Sequence, residues 1–206
     1  MKKKILIFSE YSKKIGHGHL IRSTRIYNKL RKRYNVELLI NKNLKFIKKK
    51  MTIKVDVLIN NKFWKKNISK PDIYIKNKLK KAAKKNKIFK KNKLNFTLLL
   101  SGSSEIKKLN KKFRNKNKIT DILSFPFYEK NMLYKILNNK QANIYLGDII
   151  INLDKIIKNS KKENFTVEFD KIWVHGLVHL LGYRHKSNRD FFIMQKLENE
   201  IIESIQ

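Results

Sequence analysis

The chain has 206 residues, enough for one well-buried core or for one domain plus an appendage, and too few for two full-sized domains. It has no cysteine, which excludes disulfides and thiolate metal sites, and no run of about 18 apolar residues, which excludes a membrane-spanning helix. Its 50 Lys+Arg against 16 Asp+Glu give a formal charge of +34, unevenly spread: residues 1–50 hold 16 basic and 2 acidic side chains, 51–150 hold 25 and 6, and 151–206 hold 9 and 8. A field of that size favours a polyanionic partner and steeply salt-dependent binding, although a Lys- and Asn-rich composition also fills surfaces with solvated lysine. The expectation is a soluble, cytoplasmic protein without an export signal.

In chain order, "KKKILIFSEY" (2–11) reads as a short buried strand, "KKIGHGHL" (13–20) as a loop, "IRSTRIYNKLRKRY" (21–34) as an amphipathic helix and "NVELLI" (35–40) as a second strand. One βαβ unit cannot cover both faces of a parallel sheet, so residues 1–50 are expected to be an extension or a truncated fragment. A new strand opens after Met51 (52–60), followed by a helix over 68–86, a strand over 94–100 and a helix over 104–114. Ser104 is the expected cap of that last helix, with Glu105 in its first turn. "TDILSFPF" (120–127) and "ANIYLGDIIIN" (142–152) read as strands, the second almost continuously apolar, joined by a connection over 128–141 long enough to be mobile. Helices are expected over 153–164, 167–182 and 187–206. Residues 51–206 therefore define an α+β domain, a small mixed sheet of about four strands packed with helices.

"HGLVHLLGYRH" (175–185) sets His175, His179 and His185 at offsets 0, 4 and 10, with Gly182 at offset 7. On a helix the first two share one face, one turn apart, and a glycine ending that helix lets the chain reverse to bring the third toward them. Three neutral imidazoles with an open fourth position make a catalytic-type zinc site. Leu177, Val178, Leu180, Leu181, Trp173 and Tyr183 are read as packing. The offsets are those of metzincin-type metalloproteases, but Gly176 stands where those enzymes carry the glutamate that takes a proton from water. A metalloprotease is thus the second reading, and the metal has to serve a reaction whose proton transfers come from elsewhere.

The same segment closely resembles the H-G-x-L-H-L-x-G-Y-D-H signature of the YbeY family of bacterial endoribonucleases. "LNKKFRNKNKITDILSFPF" (109–127) is similar to that family's L-N-x-x-Y-R-G-K-D-x-x-T-D-V-L-S-F-P segment, and "YLGDIIIN" (145–152) to its L-G-D-I-x-I strand. The resemblance runs from near Met51 to the C-terminus. It implies a zinc-dependent, single-strand-specific endoribonuclease that matures ribosomal RNA, notably the small-subunit 3′ end, and serves ribosome quality control. Carried over by position, it implies His175, His179 and His185 as ligands of one Zn2+ per chain. It also implies Arg114 as the functional arginine, Lys116 beside it on the substrate loop, and single-stranded RNA and the ribosomal small subunit as partners.

Phosphodiester hydrolysis accommodates the missing glutamate, because zinc acidifies water by itself and RNA carries a 2′-hydroxyl nucleophile. Three positions depart from the family pattern: Arg184 replaces an Asp before the third histidine, and Asn115 and Asn117 replace Gly and Asp after Arg114. A cation at 184 in place of an acid keeps open a third reading, a ribosome- or RNA-binding protein without catalysis. Asp148 is either an acid supporting the site from behind the ligands or a structural residue at a strand bend, and is left out of the site. Residues 1–50 separately resemble the opening strand, loop and helix of GT-B nucleotide-sugar enzymes through Gly16, Gly18, His19, Arg22 and Ser23, with no room left for the two domains such an enzyme needs.

Overall fold

A computed structural model of the chain describes residues 4–9, 35–40, 53–86, 88–89, 92–138, 143–160, 164–185 and 187–206. The chain divides into two units, Met1–Lys49 and Lys50–Gln206. In the first, β1 (Lys4–Ser9) and β2 (Asn35–Ile40) pair in parallel, Lys4 opposite Asn35 and Ser9 opposite Ile40. Parallel pairing requires a crossover between the strands. The helix expected over 21–34 and the glycine loop before it lie outside the described residues.

In the second unit, β3 (Ile53–Ile59), β4 (Leu94–Ser101), β5 (Ile122–Pro126) and β6 (Ile144–Asn152) form one mixed sheet in the order β3-β4-β6-β5. The first three neighbours are parallel and β5 runs antiparallel to β6. Seven helices accompany the two sheets among the described residues: α1 (Trp64–Asn67), α2 (Pro71–Lys85), α3 (Ser103–Arg114), α4 (Lys130–Asn138), α5 (Leu153–Asn159), α6 (Phe165–Leu180) and α7 (Asn188–Ile205). The expected α+β architecture with four strands is present.

Two layers cover the sheet unequally. Leu94, Phe96, Leu98 and Leu100, alternate residues of β4, are buried in one large core with Ile75 and Leu79 of α2, Phe169, Trp173 and Leu177 of α6, and Met194 and Ile201 of α7. The opposite face carries a small cluster, Ile106 of α3 with Leu123 and Ile150, flanked by Leu99, Leu109 and Phe125.

The apolar run of β6 owes its look to a bulge. Asn95 faces Tyr145 but Thr97 faces Asp148, so β6 carries one extra residue, and side-chain parity flips there. Ile144 and Leu146 before the bulge, and Ile149 and Ile151 after it, thereby all enter the large core. Gly147, at φ +131°, makes this possible: a Cβ there would lie 2.1 Å from the Phe125 carbonyl oxygen.

Three local expectations change. The connection over 128–141 contains α4, because Leu133, Ile136 and Leu137 recur at helical spacing and pack against the core. The cap of α3 is Gly102 and not Ser104; the helix starts one residue earlier, and the Ser103 N–H donates to Asp154 Oδ2 at 3.0 Å. Helix α2 begins at Pro71, whose missing N–H costs nothing in a first turn, and α1 precedes it as a separate turn holding buried Trp64.

Candidate metal centre

Helix α6 is held at both ends. Asn164 caps it by accepting from the Thr166 N–H at 3.0 Å. Within it, buried Asp170 accepts from Trp173 Nε1 at 2.8 Å and Tyr74 Oη at 3.0 Å, and pairs with Lys78 at 2.8 Å, tying α6 to α2. Burial and the adjacent Asp170 carboxylate push the Tyr74 phenol far up, so it stays a protonated donor.

At the C-terminal end the Tyr183 N–H reaches back to the Val178 carbonyl at 3.3 Å and the Gly182 N–H to the His179 carbonyl at 3.0 Å, with Gly182 at φ +89°. A left-handed residue closing a helix in this way is strained for any side chain with a Cβ. The reversal carries His185 back over the helix end. The ring centroids of His175, His179 and His185 stand 4.5, 5.2 and 5.9 Å apart, and one ligand atom from each lies within 4.8 Å of the others.

The hydrogen bonds around the rings decide which nitrogens face the common point. His179 Nδ1 lies 2.9 Å from the Tyr183 carbonyl, which can only accept, so Nδ1 carries the proton. His175 Nδ1 lies 2.8 Å from Glu198 Oε1 on α7, and a carboxylate imposes the same tautomer. In its neutral form each ring then has Nε2 as the nitrogen free to bind an ion. Burial lowers the pKa of His179, and the neighbouring histidines and Arg184 add to the effect, which keeps the ring neutral. Burial pushes the Tyr183 hydroxyl up to about 12, so it adds no anion beside the site.

The donor set fits a divalent ion. Tetrahedral zinc with bonds of 2.0–2.1 Å holds its nitrogens roughly 3.4 Å apart. The ligand atoms lie within 4.8 Å of one another, so an ion would draw them closer; His185 is exposed and stands on a turn and not a helix.

Gly176 answers to packing. A Cβ there would lie 2.7 Å from Ile122 Cδ1 and 2.9 Å from Ile149 Cγ2, so the glycine is where α6 rests on β5 and β6. The position faces the sheet and not the histidines. A protease-type glutamate has no place there.

Arg114 ends α3 and is exposed; its Nη2 donates to the Ser124 carbonyl at 3.2 Å and its guanidinium lies over the Phe125 ring. In β5 it is the odd-numbered residues that bond to β6, as in the Asp121 carbonyl to Asn152, so Ser124 points out from the free edge. Arg114 therefore grips the edge of the strand whose Ile122 supports α6 beside His175. The structure brings the three histidines together, and Arg114 and Lys116 lie where α3 turns toward β5.

Lys116 is exposed in a tight turn. Asn115 takes left-handed angles (φ 55°), the Lys116 N–H bonds to the Asn110 carbonyl at 3.2 Å, and buried Asn110 donates to the Lys118 carbonyl at 2.8 Å. The family's glycine is replaced here by the residue that best tolerates the same conformation. Asp148 accepts from Tyr145 on the sheet's outer face, which favours the structural one of its two readings. Glu198 was not foreseen; its only trace in the sequence is an acid next to Leu197 on the inward side of an amphipathic helix.

A mixed sheet with a helix end that gathers three imidazoles defines an α+β scaffold whose histidine cluster could hold a metal ion. Comparison with known proteins narrows the class. The family model described as endoribonuclease YbeY matches residues 58–206. The endoribonuclease YbeY of Pelagibacter ubique is 43% identical over 158 residues, covering 75% of this chain and 97% of the relative. That of Thermodesulfovibrio yellowstonii is 39% identical over 132 residues, covering 63% and 76%. The solution structure of TM1509 from Thermotoga maritima aligns with a TM-score of 0.48 and 24% identity, over 74% of this chain and 88% of that one. The chain belongs to the YbeY endoribonuclease family, and so to the nuclease hydrolases.

Proposed function

We propose that the chain is a zinc-dependent endoribonuclease that cuts single-stranded RNA, acting in maturation of the small-subunit ribosomal RNA 3′ end and in ribosome quality control in the cytoplasm. The observation that carries the metal dependence is the pair of fixed tautomers: Glu198 and the Tyr183 carbonyl each occupy an Nδ1, and so aim an Nε2 lone pair at a shared point. His175, His179 and His185 would hold one Zn2+. Such an ion supplies a Lewis acid for a phosphoryl oxygen and brings the pKa of a water toward 7.

The chain's own residues do the rest. Arg114 spends one donor on Ser124 and keeps others for a phosphate, where a guanidinium makes paired hydrogen bonds and offsets the charge that builds during cleavage. Lys116, exposed on the next turn, holds the RNA backbone as a point charge. The catalytic domain is assigned to residues 51–206, and residues 1–50 to a βαβ-like extension or truncated fragment.

The test is cleavage of a labelled single-stranded oligoribonucleotide by the purified protein. Chelator is expected to abolish cleavage and added zinc to restore it. Arg114→Ala is expected to lower kcat roughly 100-fold, with Arg114→Lys recovering only part because the paired geometry is lost. Full activity in chelator would overturn the proposal.

A further inference from the structure

We infer that the end of α3 and the outer face of the sheet at β5 form a base-stacking platform for single-stranded RNA, with Phe113 and Phe127 as its stacking rings; the inference rests on the RNA-cleaving reading above. Phe113 is 58% exposed and Phe127 54% exposed. Neither ring is loose. Phe113 stands edge-on to half-buried Phe125 at 5.3 Å, and Phe127 stands edge-on to Tyr145 at 5.6 Å and to Tyr128 at 4.9 Å. Edge-to-face contacts of this kind fix a ring while leaving area on its face for another partner.

Cations are interleaved with the rings. Lys112 Nζ lies 5.3 Å from the Phe113 centroid and the Arg114 guanidinium 5.8 Å from that of Phe125, with exposed Lys116 and Lys118 following on the turn. Alternating π-faces and positive charges are what an unpaired strand requires: its bases stack on the rings and its phosphates follow the cations. A duplex hides its base faces and is refused.

The platform also leads toward the chemistry. After β5 the chain runs through Phe127 and Tyr128 to Lys130 at the start of α4; the Lys130 Cα lies 3.4 Å from where a Cβ of Gly182 would stand, at the turn between His179 and His185. A second exposed aromatic pair, Phe191 and Phe192 at 49% and 66%, follows Asp190 in the near-neutral C-terminal segment, where charge does not favour an anion.

The experiment uses the full chain in chelator, so that no cleavage intervenes, and titrates a short fluorescent single-stranded oligoribonucleotide. Phe113→Ala and Phe127→Ala are each expected to weaken binding about 10-fold and the double variant about 100-fold. The slope of affinity against salt should stay that of the wild type, because no cation is removed. Phe113→Trp and Phe127→Trp should keep the affinity and show indole fluorescence quenched by RNA, which settles the matter even where an alanine variant is poorly folded. A folded double variant within twofold of wild type, or tryptophans that RNA leaves unquenched, would overturn the platform. If wild type binds and cleaves RNA while these variants are unaffected, the platform alone falls. If wild type binds no RNA, the platform and the cleavage reading fall together.

Discussion

His179→Ala is expected to reduce RNA cleavage by roughly 1000-fold or more, since on the proposed reading it removes the ligand most firmly set and with it the metal chemistry. His179 is half-buried, its Nδ1–H is committed to the Tyr183 carbonyl, and its ring centroid lies 4.5 Å from that of His175 and 5.2 Å from that of His185. Single-turnover cleavage by wild type and variant at equal concentration checks the size, and circular dichroism checks that α6 persists. A variant retaining a tenth of wild-type activity would remove His179 from the metal site.

The same ring sets a pH dependence. Burial lowers its pKa from 6.5, so the neutral form survives into acid below the ordinary histidine range. Protons bind the unfolded chain more readily than the folded one at this position, so its contribution to stability is present above pH 6.5 and declines as pH falls below that value.

The second large effect is on folding. Gly176→Glu, which would restore the acid of a metzincin motif, is expected to unfold the domain and to create no peptidase. A carboxylate there is driven between Ile122 and Ile149, with neither the room nor a partner for its charge. Gly176→Ala is the graded control: side-chain ends of two isoleucines must give way, at a cost of about 1–3 kcal/mol. Thermal unfolding of both variants measures this, and a folded Gly176→Glu protein that digests casein would show that position 176 faces the metal.

The histidine site was largely legible in the sequence, because its causes are local. A four-residue spacing on one helix face and a glycine at the helix end are properties of eleven consecutive residues, and both appear as expected, with Gly182 in its left-handed turn. What supports the site was not legible, because those causes lie far along the chain. Glu198 meets His175 from another helix, and the carbonyl that anchors Arg114 is set by which edge of β5 is left free.

The glycines divide in the same way. Gly182 declares itself by its place after an amphipathic run, whereas the reason for Gly176 exists only once β5 and β6 lie beneath α6. The apolar run of β6 concealed a bulge, since a sequence shows composition but not the extra residue opposite β4. Helix α4 was missed for a milder reason: Leu133, Ile136 and Leu137 carry helical spacing in too short a stretch to outweigh the polar residues around them.

Metal content of the purified full chain, determined by mass spectrometry beside its RNA-cleaving activity, bears most directly on whether three imidazoles hold one catalytic ion. One zinc per chain is expected, lost together with cleavage when His175, His179 and His185 are all replaced by alanine. A protein that purifies without metal, takes up none when zinc is added and still cleaves RNA would contradict it.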